Sequence, residues 1–115
     1  MKTYYTDEII VAEREESNEI FMLVSGKVGV YKNDVKITEF SETGTFFGEL
    51  SGILNKPRTS TVKALEVTNV MVLERGIDEL RLRYPEIFKN ILIQLAKRVV
   101  ETTEKLAVAN DYLHT

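Results

Sequence analysis

The chain has 115 residues, the usual size of one domain with a single hydrophobic core. Its 15 basic and 18 acidic residues give a formal net charge of -3, so the basic surface that duplex DNA binding needs is not predicted. It contains no cysteine, which excludes disulfides, thiolate metal sites and thiol catalysis.

The N-terminal segment and the single histidine exclude further classes. No apolar run approaches the roughly 20 residues that cross a bilayer, and the start MKTYYTDEII lacks the basic-then-apolar order of a secretory signal. We therefore expect a soluble, cytoplasmic protein without membrane contact. His114 alone cannot build a metal site from several histidines. Because it lies one residue from the C-terminus, it also argues against a histidine-dependent catalytic triad.

From Glu8 to about Leu73 the sequence predicts short strands joined by turns. The candidate strands are β-branched or alternating segments: EIIVAE, EIFMLV, KVGVYK, VKITEF, STVKAL and NVMVLE. Turn residues separate them at Ser25-Gly26, Asn33-Asp34, Thr43-Gly44 and Thr68-Asn69. The segment KNDVK is the clearest hairpin, because asparagine and aspartate tolerate the positive φ of a tight turn. Closely spaced strands of this kind predict a small antiparallel barrel or sandwich.

After Gly76 the apolar period changes from that of strands to that of helices. The segment IDELRLRY predicts a short amphipathic helix at about 77–84, which Tyr84-Pro85 ends. Proline suits the first turn of a helix, so a second, long helix is predicted at about 86–113. We expect a single domain over residues 1–115, with the barrel at about 7–75.

The long helix carries an apolar seam with coiled-coil spacing. Its members recur at alternating intervals of four and three residues: Phe88, Leu92, Leu95, Val99, Thr102, Leu106, Ala109 and Leu113. Such a helix is about 42 Å long, more than the expected barrel can cover. One interpretation is that one helix face packs wholly on the chain's own barrel. We favour the interpretation that its proximal half packs on the barrel and its distal half pairs with a second copy in a parallel homodimer. The predicted dimer contacts are Leu92, Leu95, Val99, Leu106, Ala109 and Leu113.

The segment FFGELSGILNKPRTSTVKAL, Phe46 to Leu65, is the candidate site. Gly48 allows a close approach of the backbone to a ligand, and a helix beginning at ELSGIL would direct its free amides at a phosphate. Arg58 adds a permanent charge with planar donors that match phosphate oxygens. Glu49 suits sugar hydroxyls, but spacing alone equally allows a surface pair of Glu49 with Arg58, worth at most about 1 kcal/mol.

This segment resembles the phosphate-binding cassette of the cyclic nucleotide-binding domain family. The family pattern is Phe-Gly-Glu-Leu, a short helix, then arginine followed by two small residues. The preceding strands, EIFMLVSGKVGVY, resemble the family's glycine-centred hairpin, and the similarity runs from about Asp7 to Tyr112. The resemblance implies a mainly β fold, in which a β-jelly-roll barrel is followed by helices.

The resemblance also implies a role for each matching residue. Glu49 would bind the ribose 2′-hydroxyl, the amides near Leu50 and Ser51 would bind the phosphate, and Arg58 would pair with it. The other matching positions are the cassette glycine, the two small residues after the arginine, and a barrel position that lines the pocket: Gly48, Thr59, Ser60 and Val30. Alanine is common in the family where Ser60 stands, which is a mild departure.

A second resemblance lies on the long helix. The segment LAKRVVETTEKLAVANDYL resembles the dimer helix of bacterial catabolite activators, in which two hydroxyl residues contact adenine, one of them across the dimer. Thr102 and Thr103 match that pair, and Arg98 matches an arginine one turn earlier. Alternatively, Thr102 is a polar residue that a coiled-coil seam tolerates. The activators continue into a helix-turn-helix domain whereas this sequence ends at Thr115, so we expect no direct nucleic-acid binding by this chain.

Together these patterns predict a homodimeric cyclic nucleotide sensor with no cofactor and no metal, rather than an enzyme. Cyclic AMP is favoured over cyclic GMP because the helix match is the longer one, although Thr59 beside Arg58 resembles cyclic GMP-responsive members. The alternative is a dimerisation or interaction scaffold with an empty or repurposed pocket. A cupin-type enzyme shares the barrel shape but needs several histidines on a metal. The output is expected in a partner protein or in a segment outside this sequence.

Overall fold

The computed structural model describes the backbone of residues 1–73 and 77–114, and the side chains of residues 1–73 and 78–107. The strands in these ranges are β1 Lys2–Tyr4, β2 Ile9–Val11, β3 Ile20–Ser25, β4 Val28–Lys32, β5 Val35–Phe40, β6 Phe46–Phe47, β7 Thr61–Ala64 and β8 Thr68–Leu73. The helices are α1 Glu49–Leu54, α2 Ile77–Arg83 and α3 Pro85–His114. The predicted mainly β fold with C-terminal helices is therefore confirmed.

The strands form two antiparallel sheets of four. One sheet has the order β1-β8-β3-β6 and the other has the order β2-β7-β4-β5. The predicted hairpin joins β4 to β5, where Lys32 pairs with Val35. Its two turn residues, Asn33 and Asp34, have φ angles of 50° and 65°, the left-handed conformation that a two-residue hairpin turn needs.

Three local predictions differ from the structure. Strands β1 and β6 were not predicted, because runs of three and two residues are too short to show a period. The turn predicted at Thr68-Asn69 is wrong, since both residues lie in β8 and pair with β1. The bend lies instead at residues 65–67. Thr68 is fully buried, and its hydroxyl donates to the carbonyl oxygens of Lys27 and Glu66 at 3.1 and 2.9 Å.

The main core lies where the two sheets pack together. Its buried side chains come from both sheets: Tyr4, Val11, Phe21, Leu23, Val28, Phe47, Val62, Ala64 and Val70. The rings of Phe21 and Phe47 stack within it, with their centroids 5.2 Å apart. Burial of apolar side chains on the inner face of each strand explains the alternation of the sequence.

A second apolar cluster attaches the helices to the sheet. Ile20 and Phe46 pack there against Leu80 of α2 and Ile91 of α3, and Leu95 packs against the same cluster. The proximal half of α3 therefore packs on the chain's own sheet, as expected. Leu95, which was predicted as a dimer contact, packs on the chain's own cluster instead, because it faces the same side of α3 as Ile91.

The rest of the predicted seam does not join this cluster. Leu92, Val99 and Leu106 are 50%, 65% and 66% exposed, so the seam divides between a covered face and an open one. The side chains of Ala109 and Leu113 lie outside the described residues. Within the described ranges, no helix combines the length and apolarity that crossing a bilayer requires.

Candidate functional site

A cavity of about 860 Å³ lies between the sheet containing β4 and β7 and the inner face of α3. Its apolar wall includes Val11, Val30, Phe40, Phe47 and Val62, and the segment Gly48 to Ser51 together with residues 58–60 forms one end. Six residues of α3 line the opposite wall: Asn90, Ile93, Gln94, Lys97, Arg98 and Glu101. The cavity thus combines an apolar floor with charged and polar groups, as small-molecule sites do.

Gly48 forms the turn into α1. Its φ of 76° is in the left-handed region, which favours glycine. A Cβ at this position would lie 2.8 Å from Nη1 of Arg58 and 3.1 Å from the carbonyl oxygen of Glu19. The glycine is therefore needed for two reasons, its backbone angle and the close packing of Arg58 against it. Helix α1 follows and ends at Leu54, and the next residue, Asn55, caps it with a φ of 53°.

Arg58 is buried, with 3% of its surface exposed. It donates from Nε to Ser17 Oγ at 3.0 Å and from Nη1 to the carbonyl oxygen of Gly48 at 2.7 Å. Its Nη2 donates to the carbonyl oxygen of Glu19 at 2.9 Å and to Glu19 Oε2 at 3.2 Å. A guanidinium has five N–H donors, so these contacts leave one, on Nη1, among the described residues.

Glu49 is the second buried charged residue, with 2% of its surface exposed. Its Oε1 accepts a hydrogen bond from Nη1 of Arg98, and the two side chains form an ion pair. The surface pair of Glu49 with Arg58 that spacing allowed is wrong. Glu49 is instead paired with α3, and Arg58 with Glu19 on the loop before β3.

Gln94 holds α3 on β6, a contact that the sequence analysis missed. Its Oε1 accepts from the amide of Phe46 at 2.9 Å, and its Nε2 donates to the carbonyl oxygen of Phe46 at 2.8 Å. Arg98 donates to the same carbonyl oxygen at 3.0 Å. The sequence signal that could have indicated this contact is spacing, since Gln94 and Arg98 lie one helical turn apart and share a face of α3.

Most of the predicted site residues line this one cavity. They are Val30, Gly48, Glu49, Leu50, Ser51, Arg58, Thr59, Ser60 and Arg98. Thr102 and Thr103 do not line it. Both are exposed, and the Thr103 hydroxyl donates to the carbonyl oxygen of Val99 at 2.9 Å. The predicted contact of these threonines with a base, partly across a dimer, stays a prediction.

Two glutamates near the cavity and its flanking hairpin have lowered pKa values. A hydrogen bond from Lys36 and the charges of Lys36 and Lys27 lower the pKa of Glu39, which lies on the cavity wall. The Asn33 amide, followed by the side chain of Lys32, lowers the pKa of Glu13. Both carboxylates therefore stay charged to a lower pH than an ordinary glutamate does.

Comparisons with known proteins agree with this geometry. The family model of the cyclic nucleotide-binding domain matches residues 1–77. The chain is 31% identical over 101 residues to the cAMP-dependent protein kinase regulatory subunit of Candida albicans, covering 78% of this chain and 21% of that protein. It is 29% identical over 128 residues to the cGMP-dependent protein kinase of Plasmodium berghei, covering 97% of this chain and 14% of that protein.

A solved structure shows the same fold. The catabolite activator protein of Thermus thermophilus superposes with a TM-score of 0.77 at 24% identity, over 95% of this chain and 54% of that one. The chain spans about a fifth or less of the two curated relatives' length. The family model covers most of the chain and includes Gly48, Glu49 and Arg58. The chain therefore belongs to the cyclic nucleotide-binding domain family.

Proposed function

We propose that this chain is a regulatory module that binds a cyclic nucleotide, with cyclic AMP favoured over cyclic GMP, and that it acts as a homodimer. One observation carries the proposal. Among the residues whose side chains are described, two charged ones are almost fully buried, Glu49 at 2% and Arg58 at 3% exposure, and both line the cavity of about 860 Å³. Both side chains are paired within the protein, and each keeps one group without a hydrogen bond to the described residues, an N–H of Arg58 and Oε2 of Glu49. This arrangement suits a ligand with both a negative charge and hydroxyl groups.

The ligand's parts are assigned to different residues. Arg58 and the amides of Leu50 and Ser51 would take the cyclic phosphate. Glu49 would take the ribose hydroxyl through Oε2, which accepts no hydrogen bond from the described residues. The apolar floor suits a purine ring.

The choice of base rests on the resemblances. Thr102 and Thr103 match the adenine-contacting pair of the activators, and this favours cyclic AMP. The two relatives do not favour one base over the other, because the name of one contains cAMP and the name of the other contains cGMP. Ligand contact with α3 on one side and with the sheet on the other would bias the position of the helix, which is what a switch requires.

Homodimerisation is supported by the open face of α3. Leu92, Val99 and Leu106 are at least half exposed and lie at coiled-coil spacing. A cytoplasmic location is part of the proposal and agrees with the absence of cysteine.

Calorimetric titration with cyclic AMP, cyclic GMP and linear AMP tests the proposal. We expect saturable binding of a cyclic nucleotide at micromolar concentration or below, and no comparable binding of AMP. A folded protein that binds neither cyclic nucleotide would contradict it. That result would favour an interaction scaffold, a candidate supported by Arg58, because four of its five donors are already bonded to the protein.

A further inference from the structure

Gln94 makes the hydrogen bonds to Phe46 that a neighbouring strand would otherwise make. Strand β6 has two residues, and β3 pairs along one of its edges, with Met22 opposite Phe46. Along the other edge, the Gln94 amide both accepts from the Phe46 N–H and donates to its carbonyl oxygen. Phe46 is buried, with 4% of its surface exposed, so water cannot easily replace these bonds.

The Phe46 carbonyl oxygen is also a partner of Arg98. Arg98 donates to it from Nη2 and binds Glu49 through Nη1. Its side chain is 43% exposed, so solvent competes for it and its own contacts fix it only weakly. Gln94 stands one turn earlier on the same face, bonded to both backbone groups of Phe46 and next to Leu95, which packs on the second core.

We propose that Gln94 is a positioning residue: by fixing α3 on Phe46 it places Arg98 on Glu49 and so determines how the Glu49 carboxylate meets a ribose hydroxyl. The ligand in this inference rests on the proposed function. The link between Gln94 and Glu49 rests on contacts within the protein alone. Gln94 acts through Arg98, and the phosphate contacts of Arg58 do not depend on it.

The two variants Gln94→Met and Gln94→Glu separate this role from general packing. Methionine has a similar length but neither donates nor accepts the Phe46 bonds. Glutamate keeps the acceptor for the Phe46 amide, loses the donor, and offers Arg98 a second carboxylate. The matched control is Lys89→Met, at an exposed position of α3 that does not line the cavity.

The ligand readout is the preference for cyclic AMP over 2′-deoxy cyclic AMP, measured by calorimetry. The parent protein should prefer the ribose form, and Gln94→Met should reduce that preference about tenfold. Gln94→Glu should reduce it at least as much, and Lys89→Met should leave it unchanged. An equal loss of affinity for both nucleotides would mean that Gln94 has only a structural role, and it would overturn the inference.

The second readout needs no ligand, so it still decides the inference if the protein binds no nucleotide. Gln94→Met is combined with Glu49→Gln, and the unfolding equilibrium constant of each variant is measured in urea. We expect Gln94→Met to change this constant several-fold less in the Glu49→Gln protein than in the parent protein. The reason is that Arg98 has already lost its charged partner in the Glu49→Gln protein. Strictly additive effects would overturn the inference, whereas absence of nucleotide binding alone would overturn the proposed function.

Discussion

Arg58 and Arg98 are both arginines paired with a glutamate at the same cavity, yet they are held in different ways. Arg58 is 3% exposed and is bonded to the turn at Gly48 and to the loop before β3. Arg98 is 43% exposed and connects α3 to the cassette. The end of the cavity at Arg58, which we call the rigid end, is therefore fixed by the Gly48 turn and the loop before β3. The end at Arg98 depends on the position of a separate helix, α3. A ligand that touches both ends would sense that difference.

Removing Arg58 should have the largest effect. Arg58→Ala leaves the carbonyl oxygens of Gly48 and Glu19 without their donor, so we expect a stability loss of about 3 kcal/mol. Nucleotide affinity should fall at least about a hundredfold, because the proposed charge-assisted phosphate contact is lost. Urea unfolding and calorimetry measure the two effects. Unchanged affinity would contradict the assignment of phosphate to Arg58.

A substitution that crowds Arg58 at the rigid end, Gly48→Ala, should have the second largest effect on stability. Gly48→Ala forces alanine into the left-handed region and brings its Cβ to 2.8 Å from Arg58 Nη1, so a loss of about 2 to 3 kcal/mol is expected. Gly44 is a matched control. Its φ is 91° but a Cβ there meets no atom within 4 Å, so Gly44→Ala should cost only about 1 kcal/mol. Equal losses in urea unfolding would show that close packing at Gly48 is unimportant.

Removing the second arginine should destabilise the protein less than removing the first. Arg98→Ala removes a side chain that is 43% exposed, but it leaves the buried Glu49 carboxylate without its charged partner, so the expected stability loss is about 1 to 2 kcal/mol. Affinity for cyclic AMP should fall about tenfold, since the Glu49 carboxylate loses the donor that orients it. Calorimetry on both arginine variants tests the comparison directly. An Arg98→Ala protein destabilised as much as Arg58→Ala would remove the distinction between the two ends.

The open face of α3 should influence assembly without affecting the cavity. Leu106→Glu puts a charge into the proposed dimer seam and should shift the protein toward monomer in light-scattering measurements. Val35→Glu is the matched control, because Val35 on β5 is also 66% exposed. It should leave the oligomeric state unchanged. Identical masses for both variants and the parent would refute a dimer through this face.

A third pair of opposite charges, outside the cavity lining, should have the smallest effect. Lys32 and Glu13 lie 3.2 Å apart, with side chains that are 50% and 16% exposed. The Asn33 amide and Lys32 lower the Glu13 pKa, so its contribution to stability is present at neutral pH and is lost as the pH falls below about 4.5. Glu13→Gln should be slightly less stable than the parent at pH 7, and the difference in urea unfolding should shrink as the pH falls below about 4.5. A difference that does not change with pH would contradict this origin.

The sequence could predict the residues of the cassette better than the contacts of α3. Gly48, Glu49 and Arg58 lie within eleven residues of one another, and their chemistry is specific enough to be recognised from residue type and spacing. Their partners were not recognised. Ser17 and Glu19 are some forty residues before Arg58, and a polar loop shows no period that would indicate a contact.

The role of α3 was harder to predict, because heptad spacing alone does not say which neighbour covers each position. Leu95 packs on the chain's own sheet while Leu92 and Val99 stay open. Gln94 was missed for a related reason. A glutamine on an amphipathic helix is usually solvated, and only the three-dimensional position of β6 gives it two backbone partners.

The contacts of α3 with the sheet end at Arg98, and this has a mechanical consequence. Side chains from Val99 to residue 107 are all exposed, so the remaining sixteen residues of the helix extend as a lever about 24 Å long. A tilt of about 10° around Arg98 would move the far end of that lever by about 4 Å. A small displacement of α3 at the cavity would therefore be amplified toward the distal end of the helix.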